Sequence, residues 1–327
     1  MNLCRGWSPS VIIRSEAKYW QWARIRVVEN MDDDHVKSLL ESRVMKLVPE
    51  FFFDHGTGSN LQLILEFIGD NVTLRLKKLD VRGDSALANI DPGLLSTAAL
   101  KVHDFTIIGA KPSQHEAIFV GIRDSVSTSL KNLYLNPVQQ GPGYLQVSTV
   151  AAAAMKLEIL FAPLPSPQAE AILTGLAVSQ ASKLRRLLCG ANIHISTLDP
   201  EVVAGALTRL EEVEHALSRN LSVGQVSALI SRINQSQDLR LKGVYLSDKD
   251  LSLVPAEDLV GTIQRLEVAT FWWGKMTGEQ ATVILTAVKE ERLGKIKKLT
   301  IARVSGVGSV SPFLLQEAKF SKKLLWF

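Results

Sequence analysis

Cysteine is scarce in this chain: its 327 residues include only Cys4 and Cys189. Two cysteines are too few for a disulfide framework or a cysteine-rich zinc site, so we expect a reducing, cytoplasmic location. No uncharged apolar window reaches the roughly 18 residues that a membrane helix needs. The first residues, MNLCRGWSPSVIIRS, also lack the continuous apolar core of a signal peptide. We therefore expect neither a membrane span nor a membrane partner.

Motifs for catalysis, metal binding and nucleotide binding are also missing. The six histidines show no HExxH or other metal-ligand spacing, and no GxSxG motif occurs. The glycine pairs in GTGSN (56–60) and GPGYL (141–145) are typical of turns, because neither forms a GxGxxG or a P-loop. The run MDDDH (31–35) predicts a polar loop with an aspartate helix cap. The sequence thus predicts no enzyme, no cofactor, no metal and no small-molecule substrate.

A short segment with aliphatic residues at its first, fourth and usually sixth positions recurs along the chain. One series is LKKLDV, LKNLYL, LRRLLC, LKGVYL and IKKLTI, starting at residues 76, 130, 184, 241 and 296. A second series lies between its members: VHDFTI, LEILFA, LEEVEH and LEVATF, starting at residues 102, 157, 210 and 266. The period is therefore about 27 residues, with two alternating kinds of unit.

Helix signals fill the intervals between these segments. Aliphatic residues four apart, such as Ile118 and Ile122, would share one helix face. Helix starts are indicated by a capping side chain three residues before Glu or Gln, or directly before proline. The capping pairs are Ser113–Glu116, Ser222–Gln225 and Thr277–Gln280, and the proline starts are Asp91-Pro92, Asp199-Pro200 and Ser311-Pro312. Strands alternating with helices predict an α/β fold.

The period and the leading LxxLxL pattern resemble leucine-rich repeats of the ribonuclease-inhibitor-like class, from about residue 56 onward. The resemblance implies a right-handed solenoid of about nine units over residues 56–327. Its strands would form one parallel concave sheet, with positions two, three and five facing solvent. Such repeats usually carry Asn or Cys at the ninth position, where only Asn192 fits. Less regular loops are expected at the other equivalent places, Asp84, Ala110, Lys249, Gly274 and Val304, and in the glycine- and proline-rich segment 137–155.

Residues 1–55 do not repeat, and we interpret them as a helical N-terminal cap. A solenoid end exposes its core and needs such a cap. Two helices are predicted between residues 15 and 53, with apolar faces that include Trp20, Val27, Val36 and Leu40. The segment also weakly resembles the end of a BACK-type helical region.

The sign of the charges at positions two and three alternates from one repeat to the next. Arg185-Arg186 is followed by Glu211-Glu212, and Lys242 comes next. Opposite charges on strands about 4.8 Å apart attract by about 0.2–1 kcal/mol per pair. We therefore expect a mixed-sign ladder across the sheet. A phosphate-binding surface would show one sign, so despite the net charge of +4 we expect no nucleic-acid binding.

Aromatic residues recur where the strands would face solvent. Trp272 and Trp273 fall at positions seven and eight, just past a strand, and at least one should be exposed; the alternative for Trp273 is packing over a neighbouring loop. Exposed Trp and Tyr are frequent anchors of protein interfaces, so the favoured function is non-catalytic protein binding through the concave face and its upper rim. The predicted binding residues are Tyr134, Phe161, Arg185, Arg186, Glu211, Glu212, Tyr245, Trp272 and Trp273.

Two alternative functions stay open at this stage. The chain could be the substrate-recognition arm of a ubiquitin-ligase-type adaptor recruited through residues 15–55, which an upstream BTB or F-box domain would support. It could also be a decayed paralogue without a specific partner. A decayed array would melt at low temperature and over a broad range, because neighbouring interfaces sum to give solenoid stability.

Overall fold

The computed structural model describes residues 24–27, 31–42, 45, 47–54, 56–71, 74–136, 145–190, 193–272, 274–319 and 324–326. The chain divides into two compact units, Met1–Leu164 and Pro165–Phe327. The first unit contains, in order, β1 (Arg24–Val27), α1 (Asp33–Glu41), β2 (Glu50–Asp54), α2 (Gly58–Asp70), β3 (Lys78–Arg82), α3 (Asp84–Leu87), α4 (Pro92–Lys101), β4 (Asp104–Ile108), α5 (Pro112–Asp124), β5 (Asn132–Asn136), α6 (Val147–Ala154) and β6 (Ile159–Phe161).

The second unit continues the same alternation. It contains α7 (Ser166–Val178), β7 (Arg186–Leu188), α8 (Pro200–Leu207), β8 (Glu212–Val213), α9 (His215–Arg219), α10 (Val223–Gln235), β9 (Gly243–Ser247), α11 (Ala256–Arg265), β10 (Val268–Trp272), α12 (Gly278–Lys289), β11 (Lys298–Ala302), α13 (Pro312–Lys319) and β12 (Leu324–Trp326).

Within each unit, consecutive strands form a parallel sheet in chain order. In the first unit β1 to β6 lie side by side, each parallel to the next. In the second unit β8 to β12 do the same. Parallel neighbours need a crossover connection, and the intervening helices supply it. The predicted alternation of strand and helix is therefore confirmed.

Burial along the strands follows the predicted pattern. The aliphatic residues at positions one and four are buried in every repeat, as are those at position six of all repeats but one. The exception is His215, which is exposed because α9 begins there. Positions two and three are mostly exposed or half-buried, and they define the open face of each sheet. Position five is mixed: Asp80, Thr270 and Thr300 are buried there.

The prediction of two helices in the N-terminal segment was wrong in part. Its described residues include two strands, β1 and β2, and one helix, α1. In β2 the side chains of Phe51 and Phe53 are buried and alternate with half-buried neighbours, which is the period of a strand. The predicted aspartate cap is present, because Asp32 accepts a hydrogen bond from the His35 N–H at 2.8 Å. Residues 1–23, with Trp20, lie outside the described residues.

A buried amide at the third residue of the long helices ties each of them to the preceding repeat. In α10 the Gln225 Nε2 donates to the carbonyls of Ile195 (2.7 Å) and Leu198 (2.9 Å), while its Oε1 accepts the Ser222 N–H (2.9 Å). Gln114 and Gln280 make equivalent bonds in α5 and α12. Asn60 donates to the Met31 carbonyl at 2.7 Å. We call these four residues the amide staples.

Two of the predicted capping boxes are confirmed, and one was misplaced. Ser222–Gln225 and Thr277–Gln280 form boxes at the starts of α10 and α12. The pair Ser113–Glu116 does not, because α5 already begins at Pro112 and its third residue is Gln114. The sequence rule identified the helix but placed its first turn too late.

Cations directly before alternate strand segments bind the ends of the preceding long helices. The Lys156 Nζ donates to the carbonyls of Arg123 (2.6 Å) and Ser125 (2.7 Å) at the end of α5. Arg209 donates in the same way to Ser179, and Arg265 to Ser236. The last carbonyls of a helix lack backbone donors and carry partial negative charge. These cations donate hydrogen bonds to those carbonyls and offset their partial negative charge.

Lys249 takes the ninth position, where the resemblance predicts Asn or Cys. Its Nζ donates to the carbonyls of Arg219 (2.8 Å) and Leu221 (2.6 Å). Burial lowers the pKa of this ammonium from its ordinary value. A lysine thus donates hydrogen bonds to the backbone carbonyls of this turn. Asn192, the one residue that fits the usual pattern, lies outside the described residues, as do residues 137–144 of the predicted loose segment.

Replacing an amide staple should destabilise the protein. Gln225→Leu would leave two carbonyls and one N–H without their partner, so we expect a loss of about 2–3 kcal/mol in the free energy of unfolding. The matched control is Gln235→Leu, because that exposed side chain bonds only to the Ser231 hydroxyl. Urea unfolding monitored by circular dichroism measures both. Equal midpoints for the two variants would contradict the role of the staple.

His115 should make the protein sensitive to acid. Burial lowers the pKa of this imidazole from 6.5 to about 4. Between these two pH values the unfolded chain binds a proton at His115 and the folded chain does not. The free energy of unfolding is therefore highest above pH 6.5 and decreases as the pH falls toward 4. The loss should total about 3 kcal/mol. Melting curves of wild type and His115→Gln across this range test it, and parallel pH dependence would contradict it.

Candidate functional site

The charged residues predicted for partner contact pair with one another between neighbouring strand segments of the second unit, β7 and β8. Arg185 Nη1 lies 3.6 Å from Glu211 Oε1, and Arg186 Nη2 lies 2.9 Å from Glu212 Oε1. Glu211 also contacts Lys242 Nζ at 3.4 Å. The mixed-sign ladder is therefore confirmed for these strands. The role of Arg185, Arg186, Glu211 and Glu212 toward a partner stays a prediction.

The predicted aromatic residues of the first unit come together on its open face. The rings of Tyr134 and Phe161 lie on neighbouring strands with centroids 6.4 Å apart and an interplanar angle of 37°. Both line a cavity of about 410 Å³ that also includes Asp80 and Arg82. Polar and charged groups surround these two rings, so this cavity offers little continuous apolar surface.

Arg82 neutralises the buried Asp80 beside this cavity. Its Nε and Nη2 donate to the two carboxylate oxygens at 2.9 and 3.0 Å. This bidentate contact raises the pKa of the Arg82 guanidinium from its ordinary value. Asp80 is only 3% exposed, so this arginine supplies the opposite charge that a buried carboxylate needs. The pair is a structural element of the sheet face.

The second unit carries a larger and more apolar groove on its open face, which we call the Trp272 groove. It has a volume of about 790 Å³. Strand register explains its floor, because Tyr245, Thr270 and Thr300 occupy the same row of β9, β10 and β11. Trp272 stands two residues further along β10, beside Ser247. The ten lining residues are His215, Arg219, Tyr245, Leu246, Ser247, Asp248, Thr270, Trp272, Lys298 and Thr300.

Trp272 lies on the open face of β10, whereas the residue before it lies in the core. Phe271 is 4% exposed and packs into the core, whereas Trp272 is 43% exposed. Successive residues of a strand point to opposite faces, so this pair needs no turn between its members. The predicted exposure of at least one tryptophan is confirmed, although Trp272 is the last residue of β10 rather than past it. Trp273 lies outside the described residues.

Charges are distributed unevenly around the Trp272 groove. On the β8 side, burial and the nearby Glu212 and Glu214 raise the pKa of the Tyr245 phenol. Burial and then Glu212 also raise the pKa of Glu214 itself. On the β11 side the lining includes the exposed Lys298. Acidic groups thus lie beside the groove on the β8 side and Lys298 lies on the β11 side, while the lining also contains the Arg219–Asp248 ion pair.

Several groove residues were not predicted from the sequence. Thr270 and Thr300 were missed because threonine at position five is ordinary for a strand and gives no signal of its own. Arg219 and Asp248, which pair at 3.4 Å, come from different repeats. Strand register, which brings the two threonines together, could have indicated them.

Cys189 is the one cysteine among the described residues, and its thiol is free. Cys189 is buried as predicted, and burial raises the pKa of its thiol to about 12, which keeps it protonated and unreactive. Among the described residues no three His, Cys, Asp or Glu side chains are grouped to hold a metal ion. None of the helices in this described part is long and apolar enough to cross a bilayer.

The two kinds of ion pair should differ in their effect on stability. Arg82→Met would leave the buried Asp80 without its partner, so we expect a loss of about 3 kcal/mol. Arg186→Met removes a half-exposed pair and should cost under about 1 kcal/mol. Urea unfolding of both variants measures the difference. Similar losses would show that burial of the carboxylate does not decide the contribution.

Comparison with known proteins adds no identification. No family model matches the chain, and no curated protein matches it. The function is therefore argued from the geometry of the site.

Proposed function

We propose that this protein is a non-catalytic scaffold that binds a protein partner on the open face of its second sheet. The proposal includes its architecture, a right-handed leucine-rich-repeat solenoid of the ribonuclease-inhibitor-like class. The supporting features are the strand–helix alternation, the burial at positions one, four and six, and the regularly spaced amide staples. In such architectures the open face of the sheet is the usual binding surface.

The exposed indole of Trp272 within a continuous groove is the observation that carries the proposal. A side chain of this size loses much apolar surface from water when a partner covers it. Tyr245 adds a second ring with a hydroxyl that can hydrogen bond. Trp and Tyr at the centre of a concave patch are the residues that most often dominate interface energies. Thr270 and Thr300 continue the row of Tyr245 and provide a shallow floor beside the two rings.

The uneven charge of the groove sets the orientation of the partner. A bound segment would place a basic group near Glu212 and Glu214 and an acidic group near Lys298. Complementary charges of this kind fix register and raise association rates more than they raise affinity. The affinity should therefore decrease as the salt concentration increases, while the contribution of apolar contacts to the affinity should not change.

Substitution of Trp272 should abolish partner capture. Tagged wild-type protein and Trp272→Ser are each incubated with native lysate, and the bound proteins are quantified by mass spectrometry. We expect a wild-type partner whose recovery falls at least about tenfold in the variant, since interface tryptophans often contribute 2 kcal/mol or more. The matched control is Leu253→Ser, because Leu253 is 84% exposed but does not line the groove.

Equal melting temperatures of the three proteins would establish that the folded state is unchanged. If Trp272→Ser captures the same partner as wild type, the groove is not the binding surface. If Leu253→Ser loses the partner as well, capture depends on general surface hydrophobicity.

A further inference from the structure

A basic cavity lies in the second unit, away from the Trp272 groove. It is placed where α7, α8 and α10 end and where β7, β8 and β9 are about to begin. Its volume is about 500 Å³, and it shares no lining residue with the groove. Three arginines from two successive repeats line it: Arg209 from the first, and Arg232 and Arg240 from the second. Asp238 is the one carboxylate in its lining.

The arginines of this cavity lack the carboxylate partners that three arginines of the open face have. On the open face of the same unit Arg185, Arg186 and Arg219 each pair with a carboxylate. Among the residues that the structure describes, no carboxylate lies within the 4.0 Å ion-pair distance of Arg209, Arg232 or Arg240. Clustered guanidinium groups without carboxylates repel one another, and an anion between them would relieve that repulsion.

One of the three arginines is not explained by the repeat. Arg209 occupies the place where Lys156 and Arg265 also bind helix ends, and Arg240 the place of Lys183 and Lys295. Arg232 is different: the equivalent residues of other long helices are Gly121, Gly175 and Ala287. It is exposed in the last turn of α10. The third cation of the cavity is thus an addition to the repeat pattern.

The other groups in the lining suit the oxygens of a phosphate. Ser179, Ser182, Ser236 and Gln180 contribute hydroxyl and amide groups beside the guanidinium forks. Arginine presents paired N–H donors that match phosphate geometry. Cavities of several hundred cubic ångströms hold small molecules. Three positive charges against one carboxylate favour a ligand with more than one phosphate.

We propose that the basic cavity binds a small soluble ligand carrying two or more phosphate groups. The cavity is concave and of small-molecule size, so an extended ligand would have to present its phosphates at one point. The proposal concerns a site separate from the Trp272 groove and does not depend on protein binding there.

Inorganic triphosphate is the first probe, titrated into the full chain by isothermal calorimetry at two salt concentrations. We expect saturable binding that weakens with salt. Arg232→Ala should reduce the affinity about tenfold or more, as expected for loss of a charge-assisted contact. This variant carries the residue found at the equivalent position 287, so the helix should tolerate it. The affinity of Arg232→Lys should lie between those of wild type and Arg232→Ala, because lysine keeps the positive charge but lacks the paired N–H donors of the guanidinium.

Lys289→Ala is the matched control, since it removes one exposed cation from the last turn of α12 outside the cavity. Its affinity for triphosphate should stay within about twofold of wild type, because a remote exposed charge is screened. An equal loss in Lys289→Ala and Arg232→Ala would overturn the proposal in favour of general attraction to a basic protein. Absence of saturable triphosphate binding would also overturn it.

A second experiment tests whether the phosphates of a lipid headgroup bind to the same cavity. Phosphatidylcholine vesicles with and without a bisphosphorylated phosphoinositide are mixed with the protein and sedimented. Competition of free triphosphate with any vesicle binding supports the cavity as the site. Vesicle binding that triphosphate does not displace, without calorimetric binding of triphosphate, would overturn the proposal of a soluble ligand. Trp272→Ser should bind triphosphate like wild type, which separates this site from the groove.

Discussion

Every turn between a strand and a helix leaves carbonyl oxygens that backbone N–H groups do not reach, and this protein relies on side-chain donors to satisfy them. The amide staples do so where the long helices begin, and Lys156, Arg209 and Arg265 do so where they end. A buried carbonyl without a donor costs as much as a lost hydrogen bond or more. The spacing of these donors is therefore set by the repeat and in turn holds neighbouring repeats together.

Charge has two different uses on the two kinds of surface. On the open face of the second unit, Arg and Lys alternate with Glu, and the pairs neutralise one another between neighbouring strand segments. This leaves Trp272 and Tyr245 as the main feature available to a partner in their groove. Around the basic cavity the arginines come from loop and helix ends, where the ladder does not extend. The same residue type is thus structural in one place and available for a ligand in the other.

The sheet could be predicted from the sequence because its signal is local and repeated. Leucine and isoleucine at fixed positions give strand faces directly, and Phe271 and Trp272 follow from the same count. The strand Glu50–Asp54 was missed because it occurs once and follows the helix-like stretch LLESRVMKLV. The groove and the cavity were missed for another reason. Their residues come from several repeats. Aligning the repeats places the strand residues of the groove in one row, but it does not place the helix and loop residues, such as Arg219 and Arg232, that complete the groove and the cavity.

The amide staples also bear on how the chain folds. The residues they join are close along the chain, with separations of 27, 30 and 29 for Gln114–Leu87, Gln225–Ile195 and Gln280–Leu251. Contacts of this kind give a low contact order, and chains with mainly short-range contacts fold quickly. Each repeat can then serve as the template for the next, so folding can start at any well-stapled repeat and spread from there. Newly made repeats would be stabilised as soon as one neighbour had emerged from the ribosome.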